Sequence, residues 1–222
     1  MKTIASYTAK SGATADSDGL SLRPGDRFSA EQARELLVQG NRRFVSGQTT
    51  PKDLGAARRR ELAHQEQRPH SVVLSCSDSR VPPELIFDQA LGDLFVVRVA
   101  GNVVGPAVLG SVEFAVEYLY VPLVVVLGHE NCGAVTAAVE GEEVCGSIGS
   151  ILGKLQPSVA GARATGLTGK DLCEAAEDEN IRATVAELRQ SPAIRRLAEN
   201  HKLAVLGAKY HMESGEVRFF PE

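Results

Sequence analysis

Three residues of metal-binding type stand where an α/β protein would bring them together: Cys76, His129 and Cys132. Cys76 closes the apolar run Ser71-Val72-Val73-Leu74-Ser75, and His129 and Cys132 follow a second run, Leu123 to Leu127. Zinc accepts thiolate and imidazole, and a catalytic zinc site uses three protein ligands and keeps the fourth position open. The H-x-x-C spacing allows one strand-to-helix turn to present both of its donors to one ion. Taken singly, Cys76 and Cys132 would read as small buried hydrophobes and His129 as a hydrogen-bonded structural histidine. Taken together they read as a Cys2His site for Zn2+. Asp78 and Arg80 flank the first ligand. A guanidinium offers a planar fork that fixes a carboxylate, and a fixed carboxylate beside a metal site can orient a water and assist its deprotonation. The plainer alternative makes Asp78 a helix N-cap ahead of Pro82-Pro83.

These residues need strands to carry them. Four short apolar runs qualify: 71–76, 94–99 (LFVVRV), 123–127 (LVVVL) and 203–206 (LAVL). They are near-continuous rather than alternating, which indicates burial on both faces and a mainly parallel sheet. Helical stretches separate them, the clearest at 107–118 and 181–189, so the fold class is α/β with a mainly parallel central sheet flanked by helices. Open sheets of this kind place their sites beyond the carboxyl ends of the strands, where Cys76 and His129 fall. An N-terminal helical arm is expected from Ser29, where Ser29 and Gln32 form an S-x-x-Q capping box. A second, charged helix is expected over 54–65, with Arg58-Arg59-Arg60 on a solvated face. Residues 157–170 (PSVAGARATGLTGK) read as a loop or frayed helix, and 213–220 as a final edge strand. The domain reading is a flexible N-terminal arm over 1–27, rich in Ser, Thr, Ala, Gly and Asp, and a single α/β zinc-binding catalytic domain over 28–222.

Composition excludes several classes. The 222 residues include 24 basic and 28 acidic side chains, a formal net charge of −4, which argues against nucleic acid as a partner. There is no apolar run long enough to span a membrane and no apolar leader, so the expected compartment is the cytoplasm. Four cysteines are too few for a disulfide scaffold and suit ligands in a reducing compartment. Cys145 and Cys173 lie outside the ligand frame and read as structural or surface thiols. His64, His70, His201 and His211 show no ligand spacing.

CSDSR at 76–80 and GHENCGAV at 128–135 resemble the β-class carbonic anhydrases of bacteria. The resemblance extends through 84–102 and 108–129, covering 29–155 well and the C-terminal part more loosely. It implies zinc-dependent reversible hydration of carbon dioxide to bicarbonate, with Cys76, His129 and Cys132 as ligands and Asp78 and Arg80 as the catalytic dyad. Asp78 could also serve as a fourth ligand in a closed state. Gln67, nine positions before Cys76, matches a glutamine that contacts substrate. Gly133 matches a backbone amide that faces the bound anion, and Phe95, Ala100 and Val103 are candidates for an apolar pocket wall. A homodimer or tetramer is implied. Members regulated by bicarbonate carry a tryptophan where this chain has Val73, and the chain has no Trp, which argues against that regulation; Arg98 matches an arginine of the same region. Two thiolates offset the ion's formal charge, so its water is expected to be less acidic than the ~7 of a three-histidine site, with activity rising through mildly alkaline pH. Two alternatives stay open on the motif alone: hydrolysis of carbon disulfide or carbonyl sulfide, and a non-catalytic zinc scaffold. A redox role is poorer, because Cys76 and Cys132 form no C-x-x-C.

Overall fold

A computed structural model describes residues 28–221; the arm expected over 1–27 lies outside them. Five strands form one sheet: β1 (Ser71–Ser75), β2 (Leu94–Arg98), β3 (Leu123–His129), β4 (Ala204–Tyr210) and β5 (Val217–Phe219), in the order β2-β1-β3-β4-β5. The first four run parallel, and β5 returns antiparallel on β4. The chain moves outward from β1 to β2, then crosses back to β3 on the other side of β1. The order therefore reverses between β1 and β3, the position where open α/β sheets form a crevice at their carboxyl ends.

Side-chain alternation splits the core into two layers. Val72, Leu74, Val124, Val126 and Val205 point to one face, under α4 (Pro106–Tyr118), α7 (Gly169–Gln190) and α8 (Pro192–Glu199). Val73, Val125, Leu127, Leu206 and Ala208 point to the other, under α1 (Ala30–Val45) and Phe87. Strands β1 and β3 are buried throughout and β4 nearly so, as continuous apolar runs require. Strand β2 departs from that expectation. Its residues are half-buried and Arg98 is exposed, because β2 is an edge with a neighbour on one side only.

The capping box at the start of α1 forms as expected: Ser29 Oγ accepts from Gln32 N at 3.1 Å, and Gln32 Oε1 accepts from Ser29 N at 2.7 Å. The charged helix α2 (Ala56–His64) buries no residue, as its solvated face predicts. A single turn, α3 (Pro83–Ile86), follows the site loop, and α5 (Gly133–Glu140) follows the H-x-x-C turn. Of the segment expected as a loop or frayed helix, 157–163 is the end of α6 (Ile148–Arg163), 164–168 is a connecting turn and 169–170 starts α7. Pro and Gly at 153, 157 and 161 argue locally against a helix, but Leu152, Leu155, Val159 and Ala162 make a buried stripe at helical spacing. Tertiary burial overrides propensity there.

Candidate metal centre

The two ligand loops leave adjacent strands. Ser75 of β1 lies beside Leu127 of β3 in register, so Cys76 emerges next to the Gly128-His129 end of β3. Glycine is required at 128 for a packing reason. A Cβ there would lie 2.5 Å from both Cδ1 and Cγ1 of Ile181 on α7. After β3 the chain turns through Asn131, at φ +53°, and Cys132 stands as the residue before α5. Cys76, His129 and Cys132 are all buried, and their ligand atoms lie within 4.8 Å of one another.

The donor chemistry fits a zinc ion. His129 Nδ1 is engaged by the Glu130 carbonyl at 2.9 Å, which fixes the ring and turns Nε2 to the sulfurs. That Nε2 is buried and has no hydrogen-bond partner. An orphaned buried imidazole nitrogen is costly unless something ligates it. The Cys132 thiol donates to Cys76 and holds it down to about 4, against the effect of burial; His129 and the Gly101 amide, 3.3 Å from Cys76 Sγ, help. The same contact, together with burial, pushes Cys132 upward. Burial disfavours the His129 imidazolium, but the neighbouring Cys76 thiolate outweighs it and raises the group. The Cys76 thiolate thus sits in an apolar setting, with Val103 in the same buried cluster as both cysteines. A dication would displace the remaining protons.

Asp78 is held by Arg80 in a two-pronged grip. Arg80 Nε reaches Oδ1 at 3.0 Å and an Arg80 terminal nitrogen reaches Oδ2 at 2.7 Å, while the Arg80 backbone amide donates to Oδ1 at 2.9 Å. The guanidinium keeps the carboxyl at about 2. Helix capping is not its role, since the turn at Pro83–Ile86 has no side-chain cap. Arg80 also donates to the Asn131 carbonyl at 3.3 Å, tying the first ligand loop to the second.

The other sequence candidates fall unevenly. Ala100 is half-buried in the turn Ala100–Asn102, beside the Gly101 amide that meets Cys76. Gly133 is exposed at the first position of α5, with open space at its Cα. Phe95 sits near the amino end of β2, packed on Phe114 with ring centroids 6.5 Å apart. Gln67 is exposed and precedes β1, whereas the cluster lies past the carboxyl end of that strand. Five residues of strand put them about 17 Å or more apart, so Gln67 makes no contact with its own chain's cluster.

Several supporting contacts were not read from the sequence. Arg98 donates to the carbonyls of Cys76 (3.0 Å) and Asp78 (2.6 Å), fixing the loop backbone. Glu177 Oε1 accepts from the Cys132 amide at 3.1 Å, and Asn180 donates to the Gly101 carbonyl at 2.8 Å. His211 Nδ1 lies 2.6 Å from Glu130 Oε1. The available signal was polar residues at 177, 180 and 184, at helical spacing with the apolar Ile181. An open polar depression of about 410 Å3, lined by Arg80, Glu130, Asn131, Lys170 and Met212, adjoins the dyad.

A parallel sheet with a Cys2His cluster at its reversal point and a carboxylate–guanidinium fork beside it defines a class of metalloenzyme site. The carbonic anhydrase family model matches residues 71–217. A carbonic anhydrase of Mycolicibacterium smegmatis is 45% identical over 83% of this chain and 90% of its own. Carbonic anhydrase 2 of Mycobacterium tuberculosis is 42% identical over 82% of this chain and 89% of its own. Among solved structures, the β-carbonic anhydrase CcaA superposes with a TM-score of 0.69 at 29% identity, covering 85% of this chain and 95% of that one. A tetrameric β-carbonic anhydrase of Sordaria macrospora gives 0.67 at 25% identity, covering 75% and 90%. The chain belongs to the carbonic anhydrase family, in its β class, and so is a zinc enzyme of reversible carbon dioxide hydration. Among the described residues no helix is long and apolar enough to cross a membrane.

Proposed function

We propose that Cys76, His129 and Cys132 hold the zinc of this carbonic anhydrase and that Asp78, gripped by Arg80, orients the attacking water. The observation that carries this reading is the buried, partnerless His129 Nε2 facing two cysteine sulfurs, with the dyad on the adjoining loop. Bound zinc supplies a Lewis acid that makes water nucleophilic near neutral pH. Asp78 accepts a hydrogen bond from that water and aims it at the carbon. Arg80 keeps Asp78 ionised and in place, and Arg98 holds the backbone beneath both Cys76 and Asp78. Val103 and Ala100 offer an apolar wall to a linear, uncharged substrate, and the Gly133 amide at the start of α5 offers a donor to the bicarbonate product. Carbon dioxide and water give bicarbonate and a proton, and the proton leaves to buffer. The paired state of Asp78 supports an open form, with the carboxylate on Arg80 rather than among the ligand atoms.

A single catalytic domain over 28–222 and a homodimer complete the reading. The half-buried apolar residues of the β2 edge, Leu94 to Val97, support a subunit contact there. Gln67 would then serve only across such a contact. Free, buried Cys76 and Cys132 must stay reduced, which supports a cytoplasmic home. The test is Asp78→Ala with zinc content checked. The reading expects one zinc per chain and a fall in kcat/KM of about 100-fold or more. Unchanged turnover with zinc retained would remove Asp78 from the mechanism.

A further inference from the structure

Helix α7 reaches both ligand loops from one face. Glu177, Asn180, Ile181 and Thr184 are all buried. Asn180 holds the Gly101 carbonyl, whose residue's amide meets Cys76 Sγ. Thr184 Oγ1 donates to the Asn102 carbonyl at 3.4 Å. Glu177 takes the backbone amide of Cys132 itself. This last contact is unusual chemically, because it places a buried carboxylate beside two cysteines that would bind a metal as thiolates. Such a charge is costly unless it is paired.

Its pair is present. Lys209 on β4 lies beside Gly128 in the β3–β4 register, one residue from His129. Its Nζ is 2.9 Å from Glu177 Oε2, an ion pair outside hydrogen-bond angles, and donates to Asp178 Oδ1 at 2.9 Å. Lys209 and Glu177 are 8% and 3% exposed at their side chains, so the pair is withdrawn from solvent. Burial disfavours the ammonium, but Asp178 and Glu177 outweigh it and raise the group. The pair leaves Oε1 free for one task, which is holding Cys132 N–H. Cys132 is the N-cap residue of α5. Without Oε1 that amide would be a buried donor with no partner, and the residue bearing the third ligand would lose its tether.

We propose that Glu177 is a positioning residue for the metal centre: its Oε1 fixes the Cys132 backbone so that Sγ faces Cys76 and His129, while Lys209 neutralises the carboxylate. The inference rests on the zinc-ligand reading above. Outer-shell partners of this kind are worth about 10- to 100-fold in metal affinity. The role depends on reach and acceptor, not on charge.

Zinc transfer from the holoenzyme to a competing chromophoric chelator measures the affinity of wild type, Glu177→Ala, Glu177→Gln and Glu177→Asp. Visible spectra of the cobalt-substituted proteins report ligand geometry. Leu188→Ala, buried on the same helix far from the ligands, controls for general destabilisation. Glu177→Ala is expected to weaken zinc binding by about 10- to 100-fold and to shift the cobalt spectrum. Glu177→Gln keeps the acceptor and should stay within about threefold of wild type, whereas Glu177→Asp keeps the charge, shortens the reach and should fall well below Gln. Gln above Asp is the deciding order, and it holds even if the alanine variant does not fold. Equal affinity across the series, Asp above Gln, or an equal loss in Leu188→Ala would overturn the proposal. Wild type that binds no zinc would instead overturn the zinc-ligand reading on which it stands.

Discussion

Gly128 precedes His129 of the cluster, and the space above it is filled by Ile181. Adding one methyl there as Gly128→Ala brings carbon atoms to 2.5 Å, about 1 Å inside ordinary contact. Ile181 cannot retreat. It is fully buried, and its Cγ2 lies 2.7 Å from where a Cβ at Gly207 on β4 would be. The side chain is thus seated on two glycines of adjacent strands. Overpacking of a core with no free volume costs about 1–3 kcal/mol, and this site belongs at the upper end. Ile181→Ala alone should cost about 2–5 kcal/mol through its cavity. In the double variant the new methyl enters that cavity, so the two losses should fall short of their sum by about 1–2 kcal/mol. The assay is denaturant unfolding of the zinc-loaded protein at fixed protein and metal concentration, since both bias the transition. A Gly128→Ala loss below about 0.5 kcal/mol, or additivity within that margin, would refute the packing argument.

Three further predictions concern charge and burial. Because Arg80 keeps Asp78 at about 2, the carboxylate is ionised throughout pH 6 to 9. Asp78→Asn should therefore lower the plateau of the pH–activity profile and, by removing a negative charge beside the water, move its midpoint down if at all; an upward displacement in steady-state kinetics would contradict this. Asp88 is buried between Arg43 (2.5 Å) and Lys52 (2.7 Å); burial alone would raise its carboxyl, but Lys52 and Arg43 outweigh that and hold it well below the usual range. A depressed group stabilises the fold above its unfolded pKa of ~4 and loses that effect as pH falls below it. Asp88→Asn should thus cost about 2 kcal/mol at pH 7, with the gap to wild type narrowing as unfolding is followed from pH 5 to pH 3; a constant gap would contradict this. Asn41 on α1 binds the carbonyls of Ile86 and Gly215 and the amide of Val217. Asn41→Leu should cost about 3 kcal/mol or more and speed amide exchange at Val217, measured by NMR.

The Cys2His cluster was legible in the sequence because strand ends and metal chemistry are both local properties. Cys76, His129 and Cys132 close or follow apolar runs, and α/β geometry sends such ends to one crevice. The dyad was legible for the same reason, since Asp78 and Arg80 share a tight loop with a ligand. The remainder depends on contacts distant in the chain. Glu177 lies 45 residues from Cys132, and Asn180 lies 79 from Gly101. No local pattern pairs them. The contact of Phe95 with Phe114 was likewise not legible, since it joins β2 to a helix that only the fold brings beside it. Around Pro157 the sequence left loop and frayed helix both open, because the buried stripe could be valued only with α7 packed against it.

The central claim is tested most directly by stopped-flow carbon dioxide hydration at pH 7 and 8.5, on the purified chain with one zinc, after chelator stripping, and after zinc is restored. The account predicts turnover that is higher at pH 8.5, abolished by stripping and recovered with zinc. Absence of turnover at pH 8.5 with one zinc bound per chain, or equal turnover without metal, would contradict it.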